Sequence, residues 1–196
     1  LGEKSEKVDR KLNLETQEEN PWKTLTHKVV YENPWIEISH REVVNPNGGN
    51  GIYGVVSFKN LAIGVVPVDD NLNTFLVGQY RYTLNHYSWE IPEGGGPMGE
   101  EPLETAKREL LEETGLLAED WVWLSSIHTS NSVTDEFGHI FLARNLKQTE
   151  ANPEETEDLR VVKIPLIQAV EMVEKGEITD SLSIAGLLMA ARKLGV

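Results

Sequence analysis

Between Ile91 and Leu116 the chain carries a segment whose local structure is set almost residue by residue. Pro102 belongs in the first turn of a helix, where a missing N–H costs nothing, and Gly115 is placed to end it in a left-handed cap. Between them Leu103, Ala106 and Leu110 recur on one side, an apolar stripe that anchors the helix on a sheet. Glu109, Glu112 and Glu113 stand at i, i+3 and i+4, so a neighbouring face gathers three carboxylates. A helix with one narrow apolar stripe needs a partner surface. The Gly- and Pro-rich stretch from Ile91 to Gly99 brings the chain into it as a loop.

The surrounding sequence supplies the strands. Apolar and polar residues alternate over Lys23 to Tyr31 and Trp35 to Val44, and Asn45-Pro46-Asn47-Gly48-Gly49 supplies a turn before Ile52 to Phe58, a pattern that predicts a small antiparallel sheet. Leu61 to Val68 is nearly all apolar and predicts a buried strand, and Thr74 to Tyr80 predicts its successor. Strands over Val122 to Ile127, His139 to Ala143 and Leu159 to Ile164 follow. An acidic loop, Gln148 to Asp158, precedes the last of these, and helices over Pro165 to Lys175 and Ser181 to Leu194 complete the order. Strands flanked by a few helices make an α/β/α sandwich. The expected organisation is a charged tail over 1–20, an N-terminal β arm over 21–58 and a main domain over 59–196.

Composition limits the chemistry available to this fold. There is no cysteine, which excludes a thiolate metal site and a cysteine nucleophile, and the five histidines show no metal-ligand spacing. A formal net charge of −14 argues against nucleic acid and anionic membrane as partners. No apolar run is long enough to span a bilayer and the first twenty residues lack a secretory signal, so the expectation is a cytoplasmic protein. Clustered carboxylates repel one another unless a cation joins them. Oxygen donors suit Mg²⁺, with Mn²⁺ as a substitute, and these ions bring phosphates with them.

The spacing is wider than the helix. Gly94, five residues, Glu100, seven residues, Arg108-Glu109-Leu110, one residue, Glu112-Glu113, one residue, Gly115-Leu116 resembles the Nudix box at every defining position. With residue frequencies of roughly one in fifteen, the seven glycine and charged positions of this pattern arise together by chance about once in a million chains of this size. The resemblance implies a Nudix-type sandwich with a mixed sheet, and a metal-dependent hydrolase that positions water for attack on phosphorus. It assigns Glu109, Glu112 and Glu113 as metal ligands, Arg108 as the arginine orienting a neighbouring glutamate, and Glu100 as the outer glutamate. Gly94 becomes the glycine where the loop bends sharply, and the carbonyl of Glu93 an extra ligand.

Outside the box the chain resembles the ADP-ribose pyrophosphatase and nucleoside diphosphate sugar hydrolase branch. The resemblance rests on the N-terminal sheet, Gln79-Tyr80-Arg81-Tyr82, Trp89-Glu90-Ile91-Pro92-Glu93-Gly94 and Glu155-Thr156-Glu157-Asp158-Leu159-Arg160-Val161. It implies cleavage to a nucleoside monophosphate and a sugar phosphate. Glu157 becomes the general base, with Glu154 and Glu155 as its neighbours in the acidic loop. Arg81 would reach a substrate phosphate, and Glu90 a ribose hydroxyl, a metal water or a nearby cation. Where the branch usually has a proline, Asn131 stands between Ser130 and Ser132, a polar trio suited to sugar hydroxyls. The branch also implies a homodimer with exchanged N-terminal arms, in which Trp22 or Trp35 covers a nucleobase. The rival readings are hydrolysis of dinucleoside polyphosphates, coenzyme A or, least favoured by the net charge of −14, capped RNA ends, and a non-catalytic nucleotide-sugar sensor.

Overall fold

The computed structural model describes residues 19–149 and 158–196. Its centre is a four-stranded mixed sheet in the order β7-β4-β9-β8, formed by β4 (Asn60–Pro67), β7 (Glu93–Pro97), β8 (Leu116–His128) and β9 (Phe137–Gln148). β4 and β9 run parallel, while β7 and β8 pair antiparallel on the outside. The period-two geometry of β4 divides the core between two faces. Ile63 and Val65 face α1 (Pro102–Thr114), where Ala106, Leu110, Leu116 and Phe141 complete one cluster. Gly64 and Val66 face α3 (Ser181–Leu194), where Ile140, Leu182 and Leu187 build the other. Helix, sheet and helix therefore form three layers, as the element order predicts. α3 sits close because Gly186 offers no side chain: a Cβ there would fall 2.9 Å from Val66.

A second, antiparallel sheet, β10-β5-β6, consists of β5 (Asn73–Arg81), β6 (His86–Glu90) and β10 (Arg160–Pro165), with α2 (Leu166–Glu174) packed beside it. The third sheet is the N-terminal one, β1 (Lys23–Glu32), β2 (Ile36–Val44) and β3 (Asn50–Phe58), antiparallel throughout. Lys59 ties it to the rest: its backbone N–H donates to the Trp35 carbonyl at 2.9 Å and its ammonium to the Asn33 carbonyl at 2.7 Å.

Two expectations need correction. The stretch from Ile91 to Gly99 is not all loop, because Glu93–Pro97 pairs with β4 as an edge strand. Gly94 accordingly lies inside a strand, opposite Ile63, and its backbone is not in the left-handed region. The strand over His86–Glu90, the edge of the second sheet, was also not predicted.

Candidate active site

α1 begins and ends where its residues require. Glu101 is extended before Pro102, and Gly115 takes φ 69°, its N–H donating to the Leu111 carbonyl. These bounds, with Ala106 and Leu110 buried beneath, set the rotation of the helix and therefore which carboxylates turn inward. Glu109 and Glu113 are buried, 8% and 3% exposed, while Glu112 stays half-buried. Two ionisable groups withdrawn from water require compensation. Arg108 supplies some of it, its Nη1 lying 2.8 Å from Glu109 and 2.9 Å from Glu112 while Nη2 donates to the Gly95 carbonyl. Glu113 accepts from the Glu93 backbone N–H at 3.0 Å. Burial draws the Arg108 pKa down, but Glu109 and Glu112 outweigh it and leave it above its ordinary value. Glu100 accepts from the Thr105 hydroxyl at 2.9 Å, which fixes it at the entrance to the helix.

Gly94 matters here through the space it leaves. A Cβ at that position would lie 2.2 Å from the Glu109 carboxyl carbon, so only the bare backbone lets the carboxylate settle against β7. Beside it Arg81, at the end of β5, donates from Nε to both Glu90 oxygens at 3.0 Å and from Nη2 to Glu93 at 2.8 Å. Burial lowers the pKa of this guanidinium, yet Glu90 and Glu93 overcompensate and raise it. Glu93 experiences the reverse. Burial first, then the Asp180 and Glu90 carboxylates, hold it well above the usual carboxylate range, with Arg81 only partly opposing. Its Oε2 is buried without a hydrogen-bond donor among the described residues. Asp180 itself caps α3 by accepting from the Ser183 N–H at 2.7 Å.

These groups line two adjoining clefts. One, of about 560 Å³, runs from Arg81, Glu93 and Gly94 past Asp180 to Thr129, Ser130 and Glu136. The other, of about 520 Å³, lies over Glu100, Arg108 and Glu109. Trp35 reaches both from the N-terminal sheet of the same chain. Trp22 does not: it packs edge-to-face on Tyr53, away from the clefts. Of the polar trio only Ser130 lines a cleft. Asn131 and Ser132 are exposed on a turn that is bound to β3, where Tyr53 donates to the Ser132 carbonyl and Val56 to that of Val133. Glu90 is buried as the partner of Arg81 rather than open to a ligand. Glu154, Glu155 and Glu157 lie outside the described residues.

The arrangement suits a hard dication. Among the described residues no three acidic or histidine side chains form a ready-made cage. Mg²⁺ does not need one, since one or two carboxylates with substrate oxygens and water satisfy it. Glu109 and Glu113 with the backbone beside Gly94 provide such a set, all oxygen. Sequence reasoning missed Asp180 and Glu136, and also Asn60, which lines both clefts. Asp180 is legible as a helix cap before Ser181, but nothing local connects it to Glu93.

Comparison with known proteins agrees with this geometry. Residues 59–181 match the NUDIX domain. The chain belongs to the Nudix hydrolase family. It is therefore an enzyme of a family whose hydrolases generally use a divalent metal ion. Residues 22–56 of this Nudix protein match the nucleoside diphosphate sugar hydrolase N-terminal domain. The chain is 34% identical over 174 residues to the ADP-ribose pyrophosphatase of Mycobacterium tuberculosis, covering 87% of this chain and 83% of that one. It is 34% identical over 161 residues to the ADP-ribose pyrophosphatase of Bacillus subtilis, covering 81% and 86%. Among solved structures an ADP compounds hydrolase superposes with a TM-score of 0.81, covering 92% of this chain and 97% of that one at 22% identity. This likeness extends the shared fold to the N-terminal sheet. Among the described residues no helix is long and apolar enough to cross a membrane.

Proposed function

We propose that this Nudix hydrolase cleaves the diphosphate linkage of a nucleoside diphosphate sugar or ADP-ribose, with Mg²⁺ as its ion, releasing a nucleoside monophosphate and a sugar phosphate. The observation that carries the reading is the meeting of two clefts over Gly94, with acidic groups of α1 on one side and Arg81 on the other. A diphosphate lying across that junction has a separate cleft for each of its two substituents. The N-terminal module and the two relatives at 34% identity support the same substrate class.

Glu109 and Glu113, with Glu112 and the Glu93 carbonyl beside them, would hold the Mg²⁺, which would supply positive charge to neutralise phosphate oxygens. The chain's own residues do the rest. Arg108 fixes Glu109 and Glu112 and offsets their repulsion, and Glu100 is held at the helix entrance by Thr105. Arg81, anchored by Glu90 and Glu93, turns its remaining nitrogen toward a phosphate oxygen. Trp35 offers an aromatic face to the base or sugar, and Ser130 a hydroxyl. Water adds to phosphorus, the bridging P–O bond breaks, and the proton passes to a carboxylate base, which we assign to Glu157. The exposed apolar side chains of the N-terminal arm are the surface on which a homodimer forms.

The test is a substrate panel of ADP-ribose, several nucleoside diphosphate sugars, diadenosine polyphosphate and coenzyme A, run with Mg²⁺, Mn²⁺ and chelator. The expected products are a nucleoside monophosphate and a sugar phosphate, lost with chelator. No metal-dependent turnover of any nucleoside diphosphate sugar or ADP-ribose overturns the reading. Glu157→Gln should lower kcat by about a hundredfold or more in steady-state assays, and a parental rate overturns its assignment as the base.

A further inference from the structure

We propose that Asn60 is a substrate-contacting residue whose carboxamide donates a hydrogen bond to the diphosphate where the two clefts meet. The proposal rests on the reading of the chain as a nucleoside diphosphate hydrolase. Four residues line both clefts: Trp35, Asn60, Gly94 and Gly95. The glycines contribute backbone alone and Trp35 an aromatic surface with a single N–H, which leaves Asn60 as the shared side chain with two donors on one nitrogen. Its position is built by the fold. Asn60 opens β4, and the preceding residue, Lys59, is bound through its N–H to the Trp35 carbonyl and through its ammonium to Glu32 and Asn33, so the backbone at Trp35 is tied to the start of β4. The carboxamide lies against bare backbone, since a Cβ on Gly95 would come within 3.3 Å of Nδ2.

Charge explains why an amide serves here. Both arginines on these clefts sit in ion pairs, Arg81 with Glu90 and Glu93, which leaves it one nitrogen for a phosphate, and Arg108 with Glu109 and Glu112. A lysine at position 60 would be drawn to the same carboxylates. A neutral amide is not, and its donors remain available to an anion: among the described residues the Asn60 side chain makes no hydrogen bond. It therefore offers the diphosphate a donor that does not have to be released from an ion pair first.

The experiment compares the full chain with Asn60→Asp, Asn60→Ala and Asn60→Ser, measuring steady-state hydrolysis of ADP-ribose with Mg²⁺ and, separately, calorimetric binding of ADP. Losing one hydrogen bond to a charged group corresponds to about tenfold, so Asn60→Ala should raise KM and weaken ADP by about tenfold with kcat nearly unchanged. Asn60→Asp, isosteric but anionic, should lose about a hundredfold in both. Asn60→Ser, which keeps a donor, should recover part of the loss. Unfolding midpoints should match the parent, because a merely structural role would move them and leave the split between KM and kcat alone. Parental KM and ADP affinity in Asn60→Asp and Asn60→Ala overturn the proposal and leave the hydrolase reading standing. Weakened ADP binding in an enzyme that turns over none of the panel supports the Asn60 contact and overturns the reading. An unmodified chain that binds no ADP overturns both.

Discussion

The N-terminal sheet and the central sheet are both regular, yet they bury very different amounts of side chain. Every residue of β1 is exposed, including Leu25, Val29, Val30 and Tyr31, whereas the last five of the eight residues of β4 are buried between α1 and α3. Hydrogen-bond ladders alone leave a three-stranded sheet marginal, and its stability comes from what covers its faces. β4 has a helix on each side and fixes the clefts. The N-terminal sheet holds its place through Lys59, the turn after Thr129 and the Tyr53 contact, and it presents apolar side chains outward. One region is a scaffold whose residues answer to packing; the other leaves most of its side chains open and reaches the clefts through Trp35.

Substitutions test that contrast, the largest effects falling in the scaffold. Glu109→Gln and Glu113→Gln should each lower kcat by about a thousandfold while the protein stays folded, as measured by steady-state kinetics beside circular dichroism; a rate within a few-fold of the parent removes these carboxylates from the chemistry. Gly94→Ala should cost activity far more than stability, roughly tenfold to a hundredfold in kcat/KM, because the intruding Cβ meets the flexible end of Glu109 rather than backbone. Leu110→Ala should destabilise by about 2–5 kcal/mol in denaturant melts, since it opens a cavity beneath α1.

Asp69, at the turn after β4, gives a pH-dependent test. Its carboxyl is lowered from 3.8 to about 2: burial opposes ionisation, but Lys163 and the Asn73 and Asn71 N–H groups more than offset it. A group depressed on folding stabilises above its unfolded pKa and loses that contribution as pH falls toward its folded one. Asp69→Asn should therefore cost about 1 kcal/mol at pH 7, since solvent screens the half-exposed Lys163 partner, a gap that narrows as the pH is taken down from about 4; a constant gap would refute the ionic origin. At the other extreme Val30→Lys, on exposed β1, should change chain stability by less than about 0.5 kcal/mol. The same change should shift the sedimentation coefficient from dimer to monomer. A dimer that survives it, together with other charged changes across β1, would show that this face is not the interface.

Much of the fold was open to a reading of residues alone. The bounds of α1, the buried character of β4 and the order of all strands but β6 and β7 follow from rules that reach only a few positions along the chain: proline at a first turn, glycine at a left-handed cap, alternation on a pleat. The acidic triplet and its spacing were equally visible, and with them the family. β7 was not, because Gly94-Gly95-Gly96 has the composition of a loop and becomes a strand only by pairing with β4. The inward turn of Glu109 and Glu113 needed the sheet beneath the helix. The company of Glu93, Arg81 and Asp180 needed three elements packed together, as did the seating of Trp35 beside Asn60 and the withdrawal of Asn131 and Ser132 onto β3. Local propensity acts through neighbours along the backbone, whereas a site is made by side chains distant in sequence whose distances are set by how layers close. That is why the chemistry could be read from one helix, while the shape that receives a substrate came only from the packed chain.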